Sequence, residues 1–218
     1  FDTVGGTAEC VEGTVRIGSP EGFGSYFLAP RVGRLTDAYP HLNLQLVAAS
    51  APFSLANREA DIAIAVSHPP AGRLIASKLT DYDLALYASP AYLGSHPTIS
   101  RPEDLPSHRF VSYIDDLLHF PELDVLRHVV PEGTTALESS NLVAQLRATL
   151  GGAGLCVLPA FLGQQEPGLV RVLPGRIKLS RSLWLIVHQD LCHLARIKAV
   201  VAFIREEVRA ERGIFQLD

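Results

Sequence analysis

Two short stretches combine small hydroxylated residues with the start of a helix, a pairing suited to holding an anion. The first is Gly18-Ser19-Pro20-Glu21-Gly22, which follows the alternating pattern of Val15 and Ile17 and leads into Phe23 and a helical run. The second is Glu138-Ser139-Ser140-Asn141, which leads into Leu142, Leu146 and Leu150 on one helix face. A strand feeding a helix through such a turn leaves backbone N–H groups unpaired and points the positive end of the helix dipole outward, which favours a carboxylate. Ser19 adds a hydroxyl. Taken singly, either turn is equally explained by an ordinary capped helix, its N–H groups met by a side chain or by water. Taken together, one from each of two units, they could face each other and hold a carboxylate from both sides. Ser67-His68 and Ser112-Tyr113 end strands on what should be the same edges.

Other chemistries find less support. His68 and His188 are residue types fit for general base work, but none of the eight histidines has a carboxylate or nucleophile at an ordered spacing. His188 to His193 (HQDLCH) gathers His, Cys and His without a second ligand pair, so no metal site is expected. The chain has no G-x-S-x-G elbow. Gly151-Gly152-Ala153-Gly154 lacks the spacing and strand-first order of a dinucleotide loop and reads as a helix stop. Asp115 and Asp116 read as a solvated loop, a cap pair, or partners for a cationic group on a ligand. No catalytic residue and no cofactor are expected.

The elements that must position these residues alternate strand and helix, the pattern of an α/β fold with a mostly parallel sheet. Phe23 to Tyr39 reads mainly as helix, with Leu28, Val32, Leu35 and Tyr39 on one face and Pro40 closing it. Leu42, Leu44 and Leu46 mark a second strand, and Ser54 can cap a short helix ending near Arg58. Ala60–Pro70 reads as a strand covered on both faces. Leu84–Ser89, Phe110–Tyr113, Leu155–Pro159 and the runs LVRVL and SLWLIVH read as further strands. Pro90 suits the first position of a short helix, and Thr98 to His108 reads as loop. Leu194 to Arg212 closes the chain as a helix, with Ile197, Val201, Ile204 and Val208 as its stripe. The order suggests two α/β units crossed twice by the chain: residues 13–82 with 188–218, and residues 83–187. Residues 1–12 read as a residual hinge.

The bulk numbers narrow the function classes. Apolar residues make up 47% of the 218, enough for a real core and too many for disorder. Apolar runs are too short for a membrane span, and Phe1 to Glu12 has no signal-peptide pattern. Cys10, Cys156 and Cys192 form an odd set without paired spacing, which points to a reducing, cytoplasmic setting. A formal net charge of −4, with basic residues scattered apart from a modest group at Arg171 to Arg181, argues against direct nucleic-acid binding by this chain alone.

From about Gly13 to Ile204 the chain resembles the effector-binding domain of LysR-type transcriptional regulators. The pieces that carry the resemblance are GTVRIGSPEGFGSYFLAPRVGRLTDAYPHLNLQL, READIAIAV, YASPAYLGSHP, DLPSHRFV, NLVAQLRATLGGAGLCVLP, LVRVLP and LWLIVHQDLCHLARIKAVVAFI, in that order. The resemblance implies two Rossmann-like subdomains joined by two crossover strands, similar to type II periplasmic binding proteins. It implies a small effector, expected to be an organic acid, in the cleft between the subdomains; with Phe23 and Glu21 in the first turn, an aromatic or amino-bearing acid suits the cleft as well as a plain one. It places effector contacts at Ser19, Pro20, Glu21, Gly22 and Phe23; at Ala49, Ser50 and Ala51; at Ser67 and His68; and at Ser112, Tyr113, Ser139, Asn141 and Pro159. A plain dicarboxylate would meet the negative charge of Glu21 there unless that side chain points away or is paired. Cys192 stands where many members carry Arg, so no role is carried over to that position. The resemblance also implies a homodimer or homotetramer, with the first helix of one subunit against the second subdomain of another. DNA contact is expected only through an N-terminal winged helix-turn-helix that is not in this chain. A periplasmic solute-binding protein of similar architecture is the alternative, and an enzyme on the same scaffold is a third class.

Overall fold

The computed structural model describes residues 11–49, 59–69, 72–118, 121–130 and 133–218. Cys10, Ser50, Ala51 and the short helix expected from Ser54 lie outside them. The chain opens with β1 (Gly13–Pro20), whose Val15 and Ile17 are buried by simple alternation. The helix expected from Phe23 to Tyr39 is three pieces: a π-turn over Phe23–Leu28, a 3-10 turn over Ala29–Arg31, and α1 (Val32–Ala38). Pro30 is the physical reason, because it has no N–H to donate and its ring clashes with the carbonyl four residues back.

β2 (Leu42–Ala49) follows, then β3 (Ile62–Ala65), which is shorter than the Ala60–Pro70 expected. The strand expected at Leu84–Ser89 is the end of the 15-residue β4 (Leu74–Ala88). Pro90 does open a short helix, α2 (Pro90–Gly94), with the Ser89 hydroxyl accepting from the Tyr92 amide. The stretch expected as loop contains a 3-10 turn at Pro102–Ser107. The second half is built from β5 (Arg109–Ser112), α3 (Leu126–Val129), β6 (Thr134–Glu138), α4 (Leu142–Leu150), β7 (Leu155–Pro159), α5 (Ala160–Gly163) and the two-residue β8 (Val170–Arg171). The long β9 (Leu179–His188) leads to α6 (Ala195–Ala210) and α7 (Arg212–Phe215). The buried stripe of α6 is Ile197, Val200, Ile204 and Val208, so Val200 takes the place expected of Val201.

Among the described residues the strands form one sheet in the order β2-β1-β3-β9-β4-β7-β5-β6, with β8 on β4. β1 is parallel to β2 and β3, and β5 is parallel to β6 and β7. β9 is antiparallel to both β3 and β4, and β4 is antiparallel to β7. It follows that β1–β3 run in the same sense as β4, and β5–β7 run against it. Because β4 leaves the first half to enter the second, the carboxyl edges of the two half-sheets face each other. The expected subdomain bounds, Tyr82 and His188, fall within β4 and at the end of β9; Trp184 to Val187 pair with β3 of the first half.

An aromatic cluster fills the join. Phe23 lies 4.9 Å from Phe27, 6.3 Å from Phe161 and 6.4 Å from Phe215, measured between ring centroids. Phe215 is 5.2 Å from Phe161, and Tyr82 packs edge-on against Phe161 at 5.8 Å. The C-terminal turn that delivers Phe215 is pinned by buried Asp83. That carboxylate accepts from the Leu217 amide at 2.8 Å, from the Ser180 hydroxyl, and from the Lys178 ammonium at 3.0 Å. Burial alone would raise the Asp83 carboxyl, but these three donors outweigh it and hold its pKa below the ordinary aspartate value.

A group bound more weakly to protons when folded stabilises the fold above its unfolded pKa, and that stability is lost as pH falls through the folded value. The unfolded value is about 3.9. Asp83→Asn should therefore cost about 2–3 kcal/mol at neutral pH. The gap from wild type, read by urea unfolding, should close as the pH drops below about 4.

Candidate functional site

The turn after β1 and the start of α4 meet where the two carboxyl edges face each other. Glu21 reaches from the first half to the second. Its Oε1 accepts from Asn141 Nδ2 at 2.5 Å, and its Oε2 accepts from the Leu142 backbone N–H at 3.0 Å. Asn141 is the cap of α4, its Oδ1 accepting from the Ala144 amide at 2.7 Å. Ser139 supports the turn, because its hydroxyl accepts from the Asn141 amide and its carbonyl accepts from Gln145 Nε2. Gly22 permits the close approach: a Cβ there would sit 2.7 Å from Leu142 Cδ2. The start of α4 thus holds a carboxylate, and that carboxylate belongs to the protein.

The other expected contact residues divide between the join and the core. Ser19 is fully buried, with its hydroxyl donating to the Pro20 carbonyl at 3.0 Å. Phe23 turns into the aromatic cluster, 1% exposed, because its apolar ring is better buried there than in a wet cleft. Gly22 and Pro159 are buried, while Pro20 and Ala49, paired across β1 and β2, are half-buried. Ser67 is half-buried, and exposed His68 sets its ring edge-on to Trp184 at 4.7 Å. Ser50 and Ala51 lie outside the described residues.

Ser112 and Tyr113 line a cavity of about 340 Å³ in the second half. Val111, Thr135 and Val157 line it from the strands, and Leu118, Leu123, Val125, Leu126 and Val130 line it from the stretch before β6. Asp115, Asp124, Glu138, Arg127 and Gln145 supply its polar groups. Three carboxylates face one guanidinium, which already pairs with Asp115 and lies 3.9 Å from Asp124. The cavity adjoins the start of α4, since Gln145 belongs to the first turns of that helix and the Ser139 amide donates to the Ser112 carbonyl. Burial, chiefly, pushes the Tyr113 phenol far above its usual range, and Cys156, Tyr82 and Glu21 add to the push. Asp124 and Arg127 carry no signal in the sequence, whereas Glu138 opens the second candidate stretch and Asp115, one of the two loop aspartates, lines the cavity and pairs with Arg127.

Buried Cys156 lies next to Gln145, and burial pushes its thiol up to about 12, which makes it inert at neutral pH. Among the described residues no group of His, Cys, Asp or Glu could hold a metal ion, and no helix is long and apolar enough to cross a membrane.

Comparison with known proteins decides the family. Residues 9–209 match the family model of the LysR substrate binding domain. The chain belongs to that family. The LysR substrate binding domain here is 26% identical to the HTH-type transcriptional regulator PtxR of Pseudomonas aeruginosa, over 91% of this chain and 65% of that protein. It is 29% identical to the HTH-type transcriptional regulator CrgA of Neisseria meningitidis serogroup B, over 76% of this chain and 56% of that protein. The chain therefore spans about two thirds or less of these curated relatives. Among solved structures, the CrgA regulatory domain superposes with a TM-score of 0.78 at 22% identity, covering 90% of this chain and 98% of that one. The effector domain of the Pseudomonas aeruginosa regulator AmpR gives 0.74 at 20% identity, covering 94% of this chain and all of that one. The fold is that of LysR regulatory domains, like the type II periplasmic binding proteins. The curated relatives are transcriptional regulators, which does not favour the solute-binding alternative or an enzyme.

Proposed function

We propose that this domain senses a small organic acid and, in a longer protein, controls DNA binding by a winged helix-turn-helix. The observation that carries the reading is the pair of facing carboxyl edges, joined by one carboxylate contact and bordered by a cavity of metabolite size. An effector with its acid group at the start of α4 and its body toward the cavity would touch both halves at once. Such a ligand favours one relative arrangement of the halves over others, and only differential affinity can shift that balance. A coupling of about 1–3 kcal/mol is enough for a regulatory response.

The cavity lining selects within the acids. With Asp115, Asp124 and Glu138 against Arg127 alone, a plain dicarboxylate meets net negative charge, whereas an amino-bearing acid has partners for both ends. In this reading the domain works in the cytoplasm as part of a homodimer or homotetramer, the first helical segment of one subunit packing on the second half of another.

A thermal-shift screen of organic acids tests the proposal. At 100 times its dissociation constant a true effector adds about 2.7 kcal/mol, which should raise Tm by roughly 5–10 °C in a domain of this size. Amino-bearing acids should outperform dicarboxylates of equal length. A screen in which amines without an acid group shift Tm as much as the acids do would reject the acid assignment.

A further inference from the structure

The contact at the start of α4 has a consequence for how an acid would act. α4 is nine residues long, and its first free amide, on Leu142, is satisfied from the other half of the molecule by Glu21. Both Glu21 oxygens are engaged, one on the amide and one on the cap side chain. The site therefore already has a carboxylate ligand, delivered by a turn whose neighbour Gly22 lets the backbone come close to Leu142. Glu21 is only half-buried and Asn141 is exposed, so solvent and solutes reach this bond. Next to it lies the cavity lined by Ser112, Tyr113 and Gln145, space that the Glu21 side chain leaves unused.

We infer that Glu21 is an internal ligand of a carboxylate site, and that an effector acid binds by displacing it. The inference rests on the proposed acid-sensing function and specifies its mechanism. Exchange of one carboxylate for another conserves the hydrogen bonds at Asn141 and Leu142. Affinity is then set by what the rest of the effector gains in the cavity. In the unliganded protein Glu21 bridges the halves; once displaced, that bridge is lost and the effector supplies the contact between halves. Acids too small to reach the cavity gain nothing to offset Glu21 and are rejected. The apparent affinity of any acid is reduced by the fraction of molecules in which Glu21 occupies the site.

The test uses sodium propionate, which reproduces the glutamate side chain beyond its Cα, with sodium chloride at equal ionic strength as control. Binding is read from the backbone amide signals of Leu142 and Ala144 by NMR. In Glu21→Ala, propionate should shift both signals saturably, with an apparent affinity at least tenfold above that of wild type. Glu21→Gln keeps the side-chain shape without the charge and should fall between the two, and it provides the reading if the alanine variant does not fold. Equal response of wild type and both variants, or no response in a folded variant, overturns the inference. The two readings fail separately. Propionate binding to Glu21→Ala with no larger acid stabilising wild type keeps the internal ligand and removes the effector assignment. An acid that stabilises wild type and Glu21→Ala with equal affinity does the reverse.

Discussion

Phe23→Ala should lower stability by about 3–5 kcal/mol, the range for removing a buried aromatic ring. Phe23 is 1% exposed and touches rings from both halves of the molecule: Phe27 beside it, Phe161 after β7, and Phe215 from the C-terminal turn. No single neighbour can collapse into the space, because each ring is held by a different element. In a domain of 150–250 residues the loss corresponds to a fall in Tm of roughly 6–20 °C. Leu117→Ala is the matched control, since Leu117 is 51% exposed and its truncation should change stability by no more than about 0.5 kcal/mol. Calorimetry of both variants checks the pair. A Phe23 variant as stable as the control would mean that the cluster does not hold the halves together.

The second large effect concerns ligand response rather than stability. Ser112→Phe places an aromatic ring in the lining of the 340 Å³ cavity, from a half-buried position at the end of β5. Among the described residues the Ser112 hydroxyl donates to the neighbouring Tyr113 carbonyl at 3.2 Å, a local bond whose loss strands no distant described partner. The unliganded Tm should stay within a few degrees of wild type. The stabilisation by an effector acid should fall by most of its roughly 2.7 kcal/mol, because the occluded cavity no longer admits the ligand body. Titration calorimetry with the acid that best stabilises wild type decides it. Unchanged affinity in a folded Ser112→Phe protein would move the effector out of this cavity.

The architecture was readable because its signals are local. Alternation at Val15 and Ile17, the unbroken apolar run around Ile62–Ala65, and the glycine stop after Leu150 each act within a few residues. The departures also have physical causes. Pro30 was visible, yet its effect on the turn before it outweighed the helical spacing of Leu28, Val32 and Leu35. β4 escaped notice over its first ten residues, because Ser77, Lys78, Thr80 and Asp81 break the alternation where the strand crosses between halves. Over Leu74–Asp81 the crossing strand is half-buried, with only Ile75, Lys78 and Asp81 exposed, so it carries no alternating core pattern.

The site was less readable, for the opposite reason. Ser139 and Asn141 announce the start of α4, and the turn at Ser19 to Gly22 announces itself in the same way. That Glu21 of one turn caps the helix of the other is a contact across 120 positions, and no periodicity encodes it. The lining residues Leu123 and Leu126 sit on a three-residue 3-10 turn and a four-residue helix, elements too short to show a repeating face. These residues become a lining only once β5, β6 and α4 are in place.

The most direct measurement is the distance between the halves with and without ligand. Spin labels at Ser25 in the first half and Arg147 on α4, both exposed, would report it by pulsed electron resonance, with Cys10 and Cys192 replaced by serine. Saturation with a stabilising organic acid should move the distance distribution to a new, narrower population. An acid that binds in the cavity and leaves that distribution unchanged would contradict a sensor built on two movable halves.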